Sequence, residues 1–253
     1  MPETVLVTGG TGRLGRLLVP MLLDAGRQVR VLSRSGARAP LADVEYLTGD
    51  LVKGEGIERA VKGAQTVVHL AGGAKGDDIA AGHLTRAAAR AGVEHIAHIS
   101  VIAADRLPLG YFRAKLGAER AVADSGVPWT TLRAAQFHDL VLGVLGAMAK
   151  LPVMPAPGAV RLQPVDTRDV ADRILTLALG DPAGLVADLA GPKVYGLADL
   201  ARMYLRARGR RRALVPVPMP GRIGRLYREG ANLTLSGADL GTRTWEDFLA
   251  EQL

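Results

Sequence analysis

The feature that most restricts what this chain can fold into is Thr8-Gly9-Gly10-Thr11-Gly12-Arg13-Leu14-Gly15. It follows the β-rich run Thr4–Thr8 at once and opens a helical pattern that continues to Asp24. Glycines at 9, 12 and 15 leave room for a phosphate to approach the backbone, and a helix starting there turns its free N–H groups and positive dipole end toward that charge. Thirty-one glycines in 253 residues produce this spacing by chance about 0.5 times. The triplet alone therefore says little; its place between a first strand and a first helix points to a pyrophosphate-binding turn.

The rest of the first half repeats the alternation. Strands are expected at Gln28–Ser33, Val44–Thr48, Thr66–Ala71, His95–Ser100 and Trp129–Arg133. Several are continuous apolar runs, the pattern of a sheet covered on both faces. Helices are expected at Glu55–Val61, Asp78–Ala91, Tyr111–Ala123 and Phe137–Lys150. Such alternation requires right-handed crossovers, hence a Rossmann-type α/β fold with a doubly wound parallel sheet. Pro152, Pro155, Pro157 and Gly158 then form a breaker-rich connection, and the regular alternation ends. This divides the chain into a dinucleotide-binding core, 1–150, and a small C-terminal substrate lobe, 151–253, packed on it. The lobe should hold helices at Arg168–Leu179, capped by Asp166–Thr167, at Leu197–Arg208 and at Thr244–Leu253. Pro216–Pro220 is a second breaker cluster.

Composition narrows the chemistry. The chain has no cysteine, which removes disulfides, thiolate catalysis and Cys-based zinc sites and fits a reducing, cytoplasmic setting. No metal is expected. The longest apolar stretch, Leu140–Ala149, falls short of the roughly 20 residues of a membrane-spanning helix. No signal-peptide pattern opens the sequence, so a soluble protein with no membrane partner is expected. The net charge is +7, and its densest run is Arg206, Arg208, Arg210, Arg211 and Arg212. Without interleaved aromatics these arginines are expected to be solvated at a helix end, with no nucleic-acid partner. A homodimer through helices flanking the sheet is left open.

Three further segments carry chemistry. The second strand ends in Leu32-Ser33-Arg34, where an NAD site places an acid for the ribose 2′-hydroxyl. A guanidinium stands there instead, so Arg34, with Arg13 of the glycine loop, is expected to pair with the 2′-phosphate of NADP. Thr48-Gly49-Asp50-Leu51 and His69-Leu70-Ala71-Gly72-Gly73 end the third and fourth strands, on the side of the sheet that faces a nucleotide. Tyr111-Phe112-Arg113-Ala114-Lys115 places a phenol and an ammonium one turn apart on one helix face. Chance gives that spacing only about 0.12 times here. The ammonium is expected to lower the phenol pKa toward a value useful in proton transfer.

In this order, T-G-G-T-G-x-L-G, G-D-L, H-L-A-G, a Ser-terminated fifth strand and Y-x-x-x-K resemble the short-chain dehydrogenase/reductase superfamily. Thr131 to Asp139, Pro164-Val165-Asp166 and Thr242-Arg243-Thr244-Trp245 are similar to its atypical, NmrA-like NAD(P)H-binding branch. The resemblance implies that Gly9, Thr11, Gly12, Arg13, Leu14 and Gly15 hold the pyrophosphate. It implies that Arg34 meets the adenosine 2′-phosphate, with Ser33 among the cofactor-binding residues, that Asp50 and Leu51 meet the adenine, and that Leu70, Ala71 and Gly72 meet the ribose edge. Lys115 would bind the nicotinamide ribose and Tyr111 would be the general acid/base. Ala135, Gln136 and Phe137 would lie near the nicotinamide, and His138 would face the substrate. One departure stands out. The family's catalytic hydroxyl aligns nearer Ile102, and Ser100 is the nearest hydroxyl.

These features together lead to an NADPH-dependent reductase of a small carbonyl or conjugated compound. Two alternatives use the same fold: a non-catalytic NAD(P)H-binding regulator, and a non-redox isomerase, cyclase or dehydratase with Tyr111 as its acid.

Overall fold

Short runs dense in Val, Leu, Ile and Thr form strands, and the amphipathic stretches between them form helices. The computed structural model describes residues 3–36, 40–73, 75–158 and 160–253. The chain runs β1 (Thr4–Thr8), α1 (Arg13–Asp24), β2 (Gln28–Ser33), β3 (Val44–Thr48), α2 (Ile57–Val61) and β4 (Thr66–His69). It continues with α3 (Asp77–Ala91), β5 (His95–Val101), α4 (Gly110–Ala123), β6 (Trp129–Ala134) and α5 (His138–Met148). Next come β7 (Val153–Pro157), β8 (Arg161–Leu162), α6 (Thr167–Leu179), β9 (Gly184–Leu185) and β10 (Leu189–Ala190). The last elements are β11 (Tyr195–Gly196), α7 (Leu197–Ala207), β12 (Ala213–Val217), α8 (Gly221–Glu229), β13 (Asp239–Leu240) and α9 (Trp245–Gln252).

Two compact units interleave along the chain. The first comprises Met1–Ser100, Leu109–Leu132 and Ala171–Val186; the second comprises Val101–Pro108, Arg133–Val170 and Ala187–Leu253. This differs from a single boundary near residue 150. The cause is a backbone ladder: Gly184 and Leu185 of β9 pair in parallel with Thr130 and Thr131 of β6, returning that segment to the first unit.

In the first unit the strand order is β6-β5-β4-β1-β2-β3. β1 pairs in parallel with both β2 and β4, so the order reverses at β1 and opens a crevice beyond the carboxyl ends of β1 and β4. Leu6, Leu32, Val67 and Ile96 on the strands pack with Ile57, Leu84 and Val122 on the helices. A row of polar groups crosses this core on four neighbouring strands. The hydroxyl of Thr8 lies 2.7 Å from His69 Nδ1, the His69 and His98 rings stack at 5.3 Å, and His98 Nδ1 lies 3.4 Å from the Thr131 hydroxyl. Burial, helped by the nearby Lys115 charge, lowers the His69 pKa to about 3. His98 is likewise pushed well below its ordinary value, first by burial. Both rings are therefore neutral, and the row crosses the sheet without a buried charge.

In the second unit Leu189 of β10 pairs with Ala134, the last residue of β6, and β13 lies alongside β10. Its core gathers Leu145, Met154, Leu200, Tyr204, Trp245 and Phe248. The Thr244 side chain accepts from the Asp247 N–H and the Asp247 carboxylate accepts from the Thr244 N–H, a reciprocal cap that starts α9. The proline-rich segments expected to be connections are strands: β7 and β12 form a two-stranded parallel sheet. Prolines 155, 157 and 216 are tolerated there because a two-stranded sheet has only edges, where a missing N–H costs no ladder bond. Among the described residues, no helix is long and apolar enough to cross a membrane.

Candidate functional site

The glycine turn is shaped by contacts that only glycine permits. Gly9 has φ +73°, and a Cβ there would lie 2.7 Å from the Ala71 nitrogen at the end of β4. A Cβ on Gly15 would lie 2.4 Å from Gly10 Cα, so the third glycine is what lets α1 pack against the turn. The Gly12 N–H donates to the Gly9 carbonyl at 2.9 Å and closes the turn. No side chain caps the first turn of α1, whose N–H groups are left for an anion.

Beside this turn lies a cavity of about 570 Å³, within the size range of cofactor sites. Of the residues expected to hold the dinucleotide, it is lined by Gly9, Thr11, Gly12, Ser33, Arg34, Asp50, Leu51, Leu70, Ala71 and Gly72. Leu14 and Gly15 are instead buried beneath the turn, and Arg13 is exposed outside the lining. The Ser33 hydroxyl is buried with no hydrogen-bond partner among the described residues. The Asp50 carboxylate accepts from the Val52 and Lys53 N–H groups at 2.9 and 3.3 Å, so it shapes the loop after β3. Arg34, Lys53 and Lys75 give this cavity three cations. The last two escaped sequence reasoning because they stand in loops without a motif.

The chemistry-bearing face of α4 shows the largest departures from expectation. Lys115 and Glu119, one turn apart, are both buried, while Tyr111, one turn before Lys115, is 39% exposed. Lys115 Nζ makes an ion pair of 2.7 Å with Asp77 Oδ2, and Asp77 Oδ1 accepts from the Gly73 N–H at 2.7 Å. A Cβ on Gly72 would come within 2.5 Å of Lys115 Nζ, so that glycine admits the ammonium to the cavity edge. Asp77 was not anticipated from sequence; as the first residue of α3 it reads there as an ordinary acidic residue favouring a helix start. Nζ lies 6.0 Å from the Tyr111 ring centroid. The expected lowering of the phenol pKa is overturned: burial, with the Asp77 charge, raises the Tyr111 pKa. Asp77 neutralises the ammonium that was expected to do the lowering.

Ser100 does not stand free as a second catalytic hydroxyl. It is buried, and its Oγ donates to Glu119 Oε1 at 2.5 Å, tying β5 to α4. In the second unit, the aligned position Ile102 is buried and apolar, and Ala103 after it has φ +72°. Ser100→Ala should therefore lower unfolding stability by about 1.5–3 kcal/mol, the range for a hydrogen bond to a charged group, and reduce turnover less than tenfold. Denaturant melts and steady-state rates check this; a loss of about 10²–10³ in turnover at unchanged stability would restore Ser100 as an oxyanion donor.

The remaining candidates lie in the second unit. The Ala135 N–H donates to the Leu189 carbonyl, the Gln136 carbonyl accepts from the Val165 N–H, and Phe137 bridges to Val165. The Gln136 Oε1 is buried without a partner among the described residues. His138, expected to face a substrate, has no exposed surface. Its ring packs against Trp245 and Phe248, and Nε2 lies 3.1 Å from the Pro164 carbonyl. Aromatic packing and the Pro164 bond make it a core histidine, correcting that expectation. Asp166, 3.7 Å from His138 Nδ1, is pushed up by burial, but hydrogen bonds from Arg168 and His138 hold it well below the usual carboxylate range.

Residues 9–179 match a family model described as NAD(P)H-binding. A (4-alkanoyl-5-oxo-2,5-dihydrofuran-3-yl)methyl phosphate reductase from Streptomyces griseus is 31% identical over 212 residues, covering 81% of this chain and 74% of that protein. An NADPH-dependent quinone oxidoreductase from Escherichia coli, solved with NADPH, superposes with a TM-score of 0.80 at 20% identity, over 98% of this chain and 99% of that one. A nucleoside-diphosphate-sugar epimerase from Staphylococcus aureus superposes with a TM-score of 0.81 at 22% identity, with the same coverages. With the glycine turn, the reversal of strand order at β1 and the Tyr–Lys helix in place, the chain belongs to the NAD(P)H-binding family.

Proposed function

We propose that this protein is an NADPH-dependent reductase of a small carbonyl or conjugated compound, with Tyr111 as its proton donor. The observation that carries the reading is the α4 face itself: a partly exposed phenol one turn from a buried ammonium that reaches the edge of the nucleotide cavity. The bound dinucleotide supplies the hydride. Tyr111 gives its hydroxyl proton to the oxygen that gains charge as the substrate is reduced, and solvent returns that proton. Its raised pKa suits this direction, because the phenol stays protonated until above its ordinary value near 10. Lys115 holds the nicotinamide ribose, and Asp77 fixes the place of the ammonium. The likeness to a named reductase supports a redox reaction. One observation favours the regulator reading: Ser100, the hydroxyl expected to act beside Tyr111, is engaged by Glu119. NADPH consumption against a panel of enones, quinones and aldehydes separates the two. A reductase oxidises NADPH with at least one class, whereas a regulator binds NADPH and oxidises it with none.

The preference for NADPH over NADH rests on Arg34 at the cavity rim and the partnerless Ser33 hydroxyl. A guanidinium–phosphate pair contributes roughly 1.5–3 kcal/mol, or ten- to a hundredfold in affinity. Calorimetric titration should show NADPH tighter by that factor, and Arg34→Ala should lose it while leaving NADH affinity unchanged. Equal affinities in the wild-type protein would return Arg34 to the role of a solvated surface side chain.

A further inference from the structure

The second unit carries a surface that dinucleotide chemistry does not use. From Arg202 to Arg228 the chain has nine arginines and neither aspartate nor glutamate. Arg202, Arg206 and Arg210 to Arg212 surround an open cavity of about 450 Å³ with Leu205 in its wall. Of these five, only Arg202 has a carboxylate partner among the described residues, Asp199 at 2.6 Å. The chain then enters β12, whose register with β7 pairs Ala213 with Val153, Val215 with Pro155 and Val217 with Pro157. Strand alternation sends Met154 and Ala156 into the core. The outer face is left with those six paired residues, none of them polar. Val153, Val215 and Val217 are 47, 43 and 38% exposed. Past β12, Arg228 Nη1 donates to the Met219 carbonyl at 2.9 Å, tying α8 back to the proline segment that follows the strand.

The charge beside this apolar face decides what covers it. A second copy docked symmetrically would bring two arginine runs together, and like charges in apposition are costly. A nucleic acid would satisfy the guanidiniums and leave the valines in water. A surface of anionic lipid offers phosphates to the arginines and an acyl boundary to the valines. We propose that the β7–β12 face and the adjoining arginines dock this protein on an anionic membrane surface. This revises the expectation of no membrane partner and of merely solvated arginines. The two strands are distant in the chain and their prolines read as breakers, so no local pattern in the sequence marks this face. Docking of this kind needs no spanning helix.

Sedimentation of the full chain with phosphatidylglycerol-containing vesicles tests it, with pure phosphatidylcholine vesicles as the neutral control. The protein should pellet with the anionic vesicles, remain in solution with the neutral ones, and be released by high salt. Replacing Arg210, Arg211 and Arg212 together by Gln should weaken the partition about a hundredfold. Val215→Asp with Val217→Asp should also release the protein at unchanged arginine content. All these side chains are exposed and outside the nucleotide cavity, so an unchanged cooperative thermal melt with unchanged NADPH affinity shows that each variant is folded. Failure to pellet with anionic vesicles, or equal pelleting with neutral ones, overturns the proposal. So does loss of binding in neither variant, or an arginine-dependent shift of duplex DNA at physiological salt by a protein that ignores vesicles.

Discussion

Tyr111→Phe should lower turnover of a reducible substrate by about 10²–10⁴-fold while the NADPH dissociation constant stays within about twofold of the wild-type value. The ring survives the substitution, so its edge contact with Phe112, 5.3 Å between centroids, survives too. Only the hydroxyl is lost, and with it the proton delivered in the transition state. Since burial and Asp77 raise the phenol pKa, the wild-type rate should show no loss from Tyr111 ionisation below about pH 10. A pH profile with a basic limb near 7 would assign the proton to another group. Wild-type turnover in the phenylalanine variant would remove Tyr111 from the chemistry altogether.

The second large effect belongs to Asp77. Its side chain and that of Lys115 are only 6% and 9% exposed, and they pair at 2.7 Å. Removing one member of a buried ion pair strands the other charge, at a cost of about 3–5 kcal/mol. Asp77→Ala should therefore lower the melting temperature by roughly 10 °C. Adding Lys115→Met should recover most of that loss, since a well-packed apolar pair avoids the desolvation of both charges. The single variant has a second consequence. Without the carboxylate, the Tyr111 pKa loses one of its two upward pushes, and any basic limb of the rate profile moves to lower pH. Thermal melts of the single and double variants, with pH–rate profiles of the single one, check both effects. Equal melting of Asp77→Ala and wild type would show that Lys115 finds another partner at no cost.

Much of the first unit was legible in the sequence because parallel strands buried on both faces are written as continuous apolar runs. β1, β2 and β3 fall where those runs place them, and α3 and α4 differ by one residue at their starts. The second unit was harder to read. β10 and β13 are two residues each, too short for any periodicity, and β7 and β12 are held by pairing that their prolines disguise. At the site, the glycine turn and the Tyr–Lys spacing are local in sequence and were visible. The partners that set their electrostatics were not. Asp77 meets Lys115 and Glu119 meets Ser100 only because α3, α4 and β5 come together in the fold. Local spacing therefore suggested a phenol lowered by lysine, where the fold yields a phenol raised first by burial and then by the Asp77 charge. His138 follows the same logic: a histidine at the start of α5 reads as a functional group until Trp245 and Phe248, far along the chain, enclose it.

The interleaving of the two units bears on how the protein is made. Synthesis proceeds from the amino terminus, yet the first unit is not complete until β9 at Gly184–Leu185 has been made to lie along β6. By the time β6 has left the ribosome, the glycine turn, β1 to β5 and the Tyr–Lys helix have all been synthesised, while the neighbour of Thr130 and Thr131 on that side has not. About fifty residues, most of them belonging to the other unit, must be made before that ladder closes. During that interval the nascent chain carries an open strand edge, the kind of template on which extended chains associate. The Thr130 hydroxyl, which later accepts the Ala183 N–H at 2.9 Å, already has His95 as a neighbour at 3.0 Å. Of the two partners of that hydroxyl, His95 is thus synthesised well before Ala183.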